Sequence, residues 1–416
     1  MGTSEKNTLP FNSAIPQADL NIETKTRSNP FSWRGQFSPQ LVEELLSHYC
    51  PSDSHVLDPF VGSGSVLLEA ARMDLAATGY EINPAAAILA RTYELTNIRE
   101  SKREKIISNV ESSLESAFSR NEPLFEGNGI ESEGAEDSHS RFKRIVDSCT
   151  EPEQFILETL ILTSRIGERE IGDRKVWKEW NKLKSIISSL PHTEKEIRVQ
   201  LSDARELTLP QSSVDFVLTS PPYINVFNYH QNYRDSVEEL GWDVLRAARS
   251  EIGSNRKFRR NRFLTVVQYC MDMAQCFREI REVGDSDTRI IFVVGRESNV
   301  LGTPFYNGEL LATIAEESGV LETVQKQERV FQNKFGNDIR EDIIHFRIGE
   351  DSPADLEESA RQVGIDALGS ATDRAPKDSL EDLRSAATEA ENIPPSDIFD
   401  SNHQDIDLPS MLDYIT

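Results

Sequence analysis

The five residues Thr219-Ser220-Pro221-Pro222-Tyr223 carry the densest chemistry in this 416-residue chain. A hydroxyl, a stiff diproline and a phenol ring in that order can hold a flat heterocycle that bears an exocyclic amine. The nitrogen of such an amine is a poor nucleophile, because its lone pair is delocalised into the ring. The Ser220 hydroxyl and the Pro221 carbonyl can each accept a hydrogen bond from the NH2 group and so localise the pair. Tyr223 offers a ring to stack on, and Pro221 and Pro222 fix the geometry in advance. A strand that merely ends in a proline turn accounts for the same five residues.

A second set lies upstream, where Asp58-Pro59-Phe60-Val61 runs into Gly62-Ser63-Gly64. A nicotinamide-binding turn would place a third glycine where Leu67 stands. Glu81, 17 residues beyond Gly64, can take both hydroxyls of a ribose, and Asp203 in Ser202-Asp203-Ala204 is placed for an adenine amino group. The glycines are not followed by a phosphate-binding lysine. The set therefore points to a nucleoside ligand without a polyphosphate, a description that S-adenosylmethionine fits.

Both sets need strands that end where they begin. His55-Val56-Leu57 reads as a short strand before the glycine turn, a helix follows from Ser65 to about Met73, and Ala76–Tyr80 is the next strand, closing on Glu81. That is the opening βαβ unit of a doubly wound sheet. Further strands are expected at Ile197–Leu201, Val214–Leu218 and Ile290–Val294, with an antiparallel hairpin near 321–331 and 341–347. The fold class is α/β. The α/β domain covers 30–98 and 197–349, and 99–196 is a helical insertion, with helices near 100–118, 152–168 and 175–190. Residues 121–139 are rich in Glu, Gly and Ser and read as a mobile loop, and Ile224 to about Arg262 as a long polar connection. The polar residues 1–29 and the acidic tail 350–416 are expected to be disordered.

Composition narrows the partners. No apolar run reaches the roughly 18 residues of a membrane span, and the polar start of the sequence lacks the apolar core of a signal peptide, so a cytoplasmic location is expected. The four cysteines show no CxxC spacing and the seven histidines no ligand pair, so no metal is expected. The net charge of −25 speaks against a nucleic-acid partner until its distribution is considered. Residues 351–416 hold 16 acidic against 4 basic side chains, and net charge bears on solubility rather than on fold.

Asp58-Pro59-Phe60-Val61-Gly62-Ser63-Gly64 together with Thr219-Ser220-Pro221-Pro222-Tyr223 resembles the motif pair of the amino-group DNA methyltransferases, which methylate N4 of cytosine or N6 of adenine. Gln36-Phe37-Ser38-Pro39 resembles the cofactor-contacting motif of that family, and Asp203-Ala204-Arg205-Glu206 its approach to the catalytic strand. The resemblance covers about 30–98 and 197–347. It implies a Rossmann-like S-adenosylmethionine-dependent methyltransferase fold with a seven-stranded, mostly parallel sheet and an antiparallel edge hairpin. It implies that Phe37, Ser38, Asp58, Pro59, Phe60, Gly62, Ser63, Gly64, Glu81 and Asp203 hold the cofactor, and that Ser220, Pro221, Pro222 and Tyr223 hold a flipped base. Serine in the first position is typical of N4-cytosine members, with adenine members more often carrying Asp or Asn. The glycine motif here precedes the catalytic motif, the reverse of many serine-type N4 enzymes. A C5-cytosine enzyme would need a cysteine after a proline at the catalytic strand, and none lies there.

Arg256, Lys257, Arg259, Arg260 and Arg262 form a basic cluster after the catalytic motif. Such a run is often no more than a solvated face; beside a base-binding site it can neutralise the phosphates of double-stranded DNA while the target base leaves the stack. The expectation is a DNA methyltransferase acting on cytosine N4; the resemblance implies a restriction–modification role, with a cognate restriction endonuclease as partner, or a solitary modification role. The alternatives are an N6-adenine enzyme, an RNA base-amine methyltransferase, or a non-catalytic nucleic-acid-binding protein that keeps the fold.

Overall fold

The computed structural model describes residues 8–33, 35–120, 137–166, 171–225, 232–254, 258–333, 335–350 and 355–400. Its centre is a seven-stranded sheet in the order β3-β2-β1-β4-β5-β9-β8. The strands are β1 (His55–Asp58), β2 (Ala76–Glu81), β3 (Ile197–Leu201), β4 (Phe216–Thr219), β5 (Arg289–Gly295), β8 (Leu321–Gln332) and β9 (Asp338–Ile348). The first five are mutually parallel. β9 runs antiparallel to β5 and to β8, which makes the expected edge hairpin. This is the expected Rossmann-like sheet, mostly parallel with an antiparallel pair at one edge. β1 and β4 are buried along nearly their whole length, as central strands covered on both faces must be. From β1 the chain winds outward through β2 to β3, then returns to β4 on the other side. The crevice between the carboxyl ends of β1 and β4 is therefore the topological switch point, where ligands bind in open α/β sheets.

One face of the sheet carries α2 (Pro39–Tyr49), α3 (Ser65–Arg72) and α4 (Pro84–Arg91). α4 starts sharply because Asn83 accepts from the N–H groups of Ala85 and Ala86 at 3.0 and 3.4 Å and Pro84 occupies the first turn, where its missing N–H costs nothing. The stretch 99–196 supplies α5 (Glu100–Ala117), α6 (Ser138–Ser148), α7 (Glu153–Ser164) and α8 (Asp173–Ser189). Their apolar residues, Val110, Leu114, Phe155, Leu160 and Trp180 among them, belong to the same buried cluster as those of α2–α4. The insertion thus thickens one face of the domain and shares its core. The loop expected over 121–139 falls mostly outside the described residues.

The other face carries α11 (Leu264–Val283) and α12 (Asn307–Ser318). Here the structure corrects the expectation of a disordered tail for its described part, 355–400. α13 (Leu356–Ala371) and α14 (Leu380–Glu389) lie in that acidic segment and pack onto this face. Ala360, Val363, Leu368 and Ala371 are buried at helical spacing, in one cluster with residues of α11, and the acidic side chains take the outer side. Composition concealed an amphipathic helix, since buried side chains such as Val363 and Leu368 each contribute about 1.5–3 kcal/mol whatever the charge opposite.

The expectation of disorder over 1–29 is likewise corrected for its described part. Ile15 and Leu20 are buried, Arg289 donates to the Leu9 carbonyl at 2.7 Å, and α1 (Gln17–Asn21) lies along β8. The polar connection after the catalytic motif holds α9 (Arg234–Glu239) and α10 (Val244–Ser250), anchored by the buried Val237 and Trp242. A small hairpin, β6 (Glu297–Val300) and β7 (Thr303–Tyr306), follows β5.

Candidate active site

A cavity opens over the carboxyl ends of β1, β2, β3 and β4. It is lined by Phe37, Asp58, Pro59, Phe60, Gly62, Ser63, Glu81, Asp203, Ser220 and Pro222 among the residues singled out in the sequence. The structure thus joins motifs that stand more than 150 positions apart, and one bond shows how. The Thr219 hydroxyl donates to Asp58 Oδ1 at 2.6 Å, tying the end of β4 to the end of β1. The Phe60 N–H donates to the same oxygen at 3.2 Å. Among the described residues Oδ2 of Asp58 has no donor, and the side chain lines the cavity. Burial pushes the Asp58 carboxyl up to about 7 against these stabilising bonds.

Glu81 is held in the same manner. Oε2 accepts from the Gly62 N–H at 3.0 Å and Oε1 from the Asn83 N–H at 2.8 Å. Each oxygen keeps a lone pair, so the carboxylate can still accept from two vicinal hydroxyls. Burial is the main cause that raises its pKa to about 7, with the charges of Asp58 and Glu251 adding to it.

The glycine turn is clasped from upstream. Gln36 donates to Ser63 Oγ at 3.0 Å, Ser65 to Asn29 Oδ1 at 2.7 Å, and Asn29 to the Phe37 carbonyl at 2.9 Å. This brings Phe37 to the cavity wall. Ser38 does not line the cavity; it stands at the start of α2, where its side chain makes no capping bond. Gly64 does not line it either. Its φ is +87° and a Cβ there would come 2.6 Å from Tyr93, so this glycine serves the packing of the turn against the helix below.

Asp203 lines the cavity with its acceptor sites already filled. Oδ1 accepts from the backbone N–H of Arg205 at 3.0 Å and its Nε at 2.8 Å; Oδ2 accepts from Arg205 Nη2 at 2.7 Å and from the Phe399 N–H at 3.0 Å. A carboxylate offers about four such positions. In this structure Asp203 braces Arg205 and the C-terminal segment, and an adenine amine would have to displace one of those donors.

Of the catalytic motif, Ser220 and Pro222 reach the cavity and Pro221 is buried behind them. Tyr223 does not line it. Its ring edge lies against Gly295, its hydroxyl is within reach of the Ser220 side chain and the Gly295 backbone, and burial pushes the phenol up to about 12. The ring was expected to stack on a base; in this structure its hydroxyl lies beside Ser220. Arg259, Arg260 and Arg262 are exposed just ahead of α11, and Arg256 and Lys257 lie outside the described residues.

Sequence reasoning missed several of the lining residues. Trp33 stacks on Tyr233 at 6.3 Å between centroids and 9° between planes, and Tyr233 in turn is covered by the Arg165 guanidinium at 4.8 Å. The aromatic segment before the glycine turn was a signal for Trp33. Nothing in the sequence marked Ser250, Glu251 and Ile252, which reach the cavity from the end of α10. Among the described residues no group of three or more His, Cys, Asp or Glu is arranged to hold a metal ion, and no helix is long and apolar enough to cross a membrane.

Residues 5–91 match the model of a family described as DNA methylase, N6 and N4 type. The chain resembles the amino-group DNA methyltransferases. Over 58 residues it is 34% identical to the Type II methyltransferase M.MjaII of Methanocaldococcus jannaschii, a stretch that covers 14% of this chain and 11% of that protein. The chain thus matches about a tenth of the length of that curated relative. Among solved structures, a SAM-dependent methyltransferase of Methanosarcina mazei aligns at 14% identity and a TM-score of 0.33, over 74% of this chain and 98% of that one. The rRNA methyltransferase AviRa of Streptomyces viridochromogenes aligns at 10% identity and 0.30, over 85% and 98%. Likenesses this distant do not say what this chain acts on.

The cofactor of such methyltransferases is S-adenosylmethionine, and the cavity fits it. Glu81 keeps lone pairs for ribose hydroxyls, Asp58 lines the cavity with an Oδ2 that has no donor among the described residues, and Phe37, Phe60 and Ile252 give apolar walls.

Proposed function

We propose that the protein is an S-adenosylmethionine-dependent DNA methyltransferase that modifies the exocyclic amine of a flipped base, cytosine N4 being favoured, in restriction–modification. The observation that carries this reading is the charge of the cavity. Asp58, Glu81, Asp203 and Glu251 line it, and no Lys or Arg does among the described residues. A polyphosphate would be repelled there. A ligand with a positive sulfonium and an ammonium group suits it, and the cavity ends on the serine and proline of the catalytic motif.

When bound, S-adenosylmethionine supplies an electrophilic methyl group. The chain's own residues prepare the acceptor. The Ser220 hydroxyl and the Pro221 carbonyl accept the two N–H bonds of the amine, which concentrates its lone pair on nitrogen. Tyr223 holds Ser220 from behind. Arg259, Arg260 and Arg262, with Arg256 and Lys257, neutralise phosphates of the duplex. Serine at position 220 supports cytosine over adenine.

Incubation with methyl-labelled S-adenosylmethionine and unmodified DNA, followed by digestion to nucleosides, tests the reading. Label in N4-methylcytosine is expected, with a loss of at least about a hundredfold in Ser220→Ala, the scale of removing one preorganised hydrogen-bonding group. N6-methyladenine would overturn the choice of base, and label in RNA alone would overturn the choice of substrate.

A further inference from the structure

The antiparallel edge hairpin reaches past the sheet on the side where the cavity opens. β9 pairs with β5 as far as Glu341 opposite Gly295, the last residue of β5. Three further rungs, Arg340, Ile339 and Asp338 opposite Val330, Phe331 and Gln332, continue beyond that point. At about 3.4 Å per residue the ribbon stands about 10 Å clear of the end of β5. Its root adjoins the catalytic motif, since the Tyr223 ring packs on Gly295. The Arg296 N–H donates to the Arg340 carbonyl at 2.9 Å and the Val330 N–H to Asn21 Oδ1 at 2.9 Å, which braces the ribbon from both sides. Its turn is fixed as well. Asn333 Oδ1 accepts from the N–H groups of Phe335 and Asn337 at 2.9 and 3.1 Å, and Gly336 takes φ +80°. On this turn Phe335 is 76% exposed, the most of any large apolar side chain among the described residues. A second of the four that are exposed, Leu301, stands at the turn of the β6–β7 hairpin, where Asn225 Nδ2 donates to the Asn299 carbonyl at 2.8 Å just beyond the catalytic motif. A single exposed apolar side chain is ordinary. A ring held at the tip of a braced ribbon on the substrate side of the sheet is placed for a partner.

We propose that the β8–β9 ribbon enters the major groove of duplex DNA and that Phe335 packs against the bases there, a contact separate from the basic cluster. The inference rests on the DNA reading above. A major groove, about 12 Å wide and about 8.5 Å deep, admits a two-stranded β-ribbon. A reach of about 10 Å beyond β5 brings the tip to the base edges. The ring meets either the methyl group of a thymine or the face of an unstacked base. Gln332 and Asn337, both exposed, flank it with amides that can hydrogen-bond to base edges. The ribbon thereby adds an apolar contact to the duplex, which the phosphate contacts of the arginines cannot supply.

The test is the rate of methyl transfer from labelled S-adenosylmethionine to unmodified genomic DNA, measured over DNA and salt concentration for the full chain, Phe335→Ala and Phe335→Trp. Calorimetric titration with S-adenosylmethionine, thermal melting and sedimentation of each variant accompany it. The expected result is that Phe335→Ala raises the KM for DNA by about tenfold, the scale of one base–aromatic stack. Phe335→Trp, which keeps a ring, stays within about twofold of wild type. Cofactor affinity and melting temperature are unchanged, and so is the salt dependence, because no phosphate contact is lost. A KM for DNA that stays the same in Phe335→Ala, or an equal weakening of cofactor binding, overturns the role of Phe335 while leaving the DNA reading intact. A wild-type dimer that Phe335→Ala dissolves also overturns it, assigning the ring to a second copy of the chain. A wild-type chain that binds S-adenosylmethionine but transfers no label to DNA overturns the DNA reading, and this inference with it.

Discussion

Glu81 and Asp203 close neighbouring parallel strands, β2 and β3, and line one cavity, yet the structure treats them differently. Glu81 receives one backbone N–H on each oxygen and keeps the other lone pairs for a ligand. Asp203 receives four donors, three from Arg205 and one from Phe399, and has nothing left to offer. Arg205 is itself fully buried and reaches further, to Asp272 at 3.1 Å, to the Ser396 carbonyl and hydroxyl at 2.9 and 2.7 Å, and to the Asp397 carbonyl at 2.8 Å. One strand end is thus left open for binding. The other is used to fasten the last described segment of the chain to the sheet. The same residue class at the same kind of position serves binding in one case and architecture in the other, and the number of donors already present decides which.

The largest effect expected from this contrast is on stability. Asp203→Ala leaves the buried Arg205 guanidinium short of its bidentate partner and should cost about 3–5 kcal/mol in urea unfolding. Glu81→Gln turns one of its two oxygens into an NH2 group, so one backbone N–H, of Gly62 or Asn83, loses its acceptor at a cost of about 1–3 kcal/mol, and S-adenosylmethionine binding should weaken by about ten- to a hundredfold with the loss of a charged acceptor. A loss of stability in Glu81→Gln larger than that in Asp203→Ala would erase the distinction.

A pH titration gives the next effect. Asp58 and Glu81 ordinarily lose their protons near 3.8 and 4.5, and burial raises both to about 7 in the unliganded fold. The folded chain therefore holds more protons than the unfolded chain between about pH 4 and 7, so the stability of the unliganded protein falls as pH rises through that window. A cationic ligand prefers the ionised carboxylates, so its affinity should rise by about tenfold from pH 6 to 8 with release of protons on binding. Isothermal titration in two buffers of different ionisation enthalpy checks this.

The smallest effect is expected from removing residues 394–416. If Asp203 is purely a brace, cofactor affinity should change by less than about threefold, a margin set by the few tenths of a kcal/mol that separate near-neutral changes. An increase beyond about tenfold would show that the Phe399 N–H competes with the adenine for Asp203.

Much of the sheet and the glycine turn was legible because their signals are local. A buried strand is a short apolar run, and the backbone N–H groups that Asp58 and Glu81 accept, of Phe60 and Gly62, lie fewer than 25 residues away. The tail was misread because its acidic composition outweighed a regular spacing, Ala360, Val363, Leu368 and Ala371, that was there to be seen. Tyr223 is expected to stack because a ring beside a diproline suits a base; that its ring edge packs on Gly295 of β5, 72 positions away, no local signal gives.

The sequence carried every feature whose cause lies within one turn or one strand: the βαβ opening, the strand-end carboxylates, the stiff serine–proline motif and the family they resemble. The folded chain settled which carboxylate is open, which is saturated, and that Glu251 joins them. Those outcomes depend on partners such as Phe399, 196 positions from Asp203, and Asn225, packed against Gly253. The acceptor capacity of a buried group is settled by whatever donors packing brings to it, and packing acts between residues that the order of the chain keeps apart.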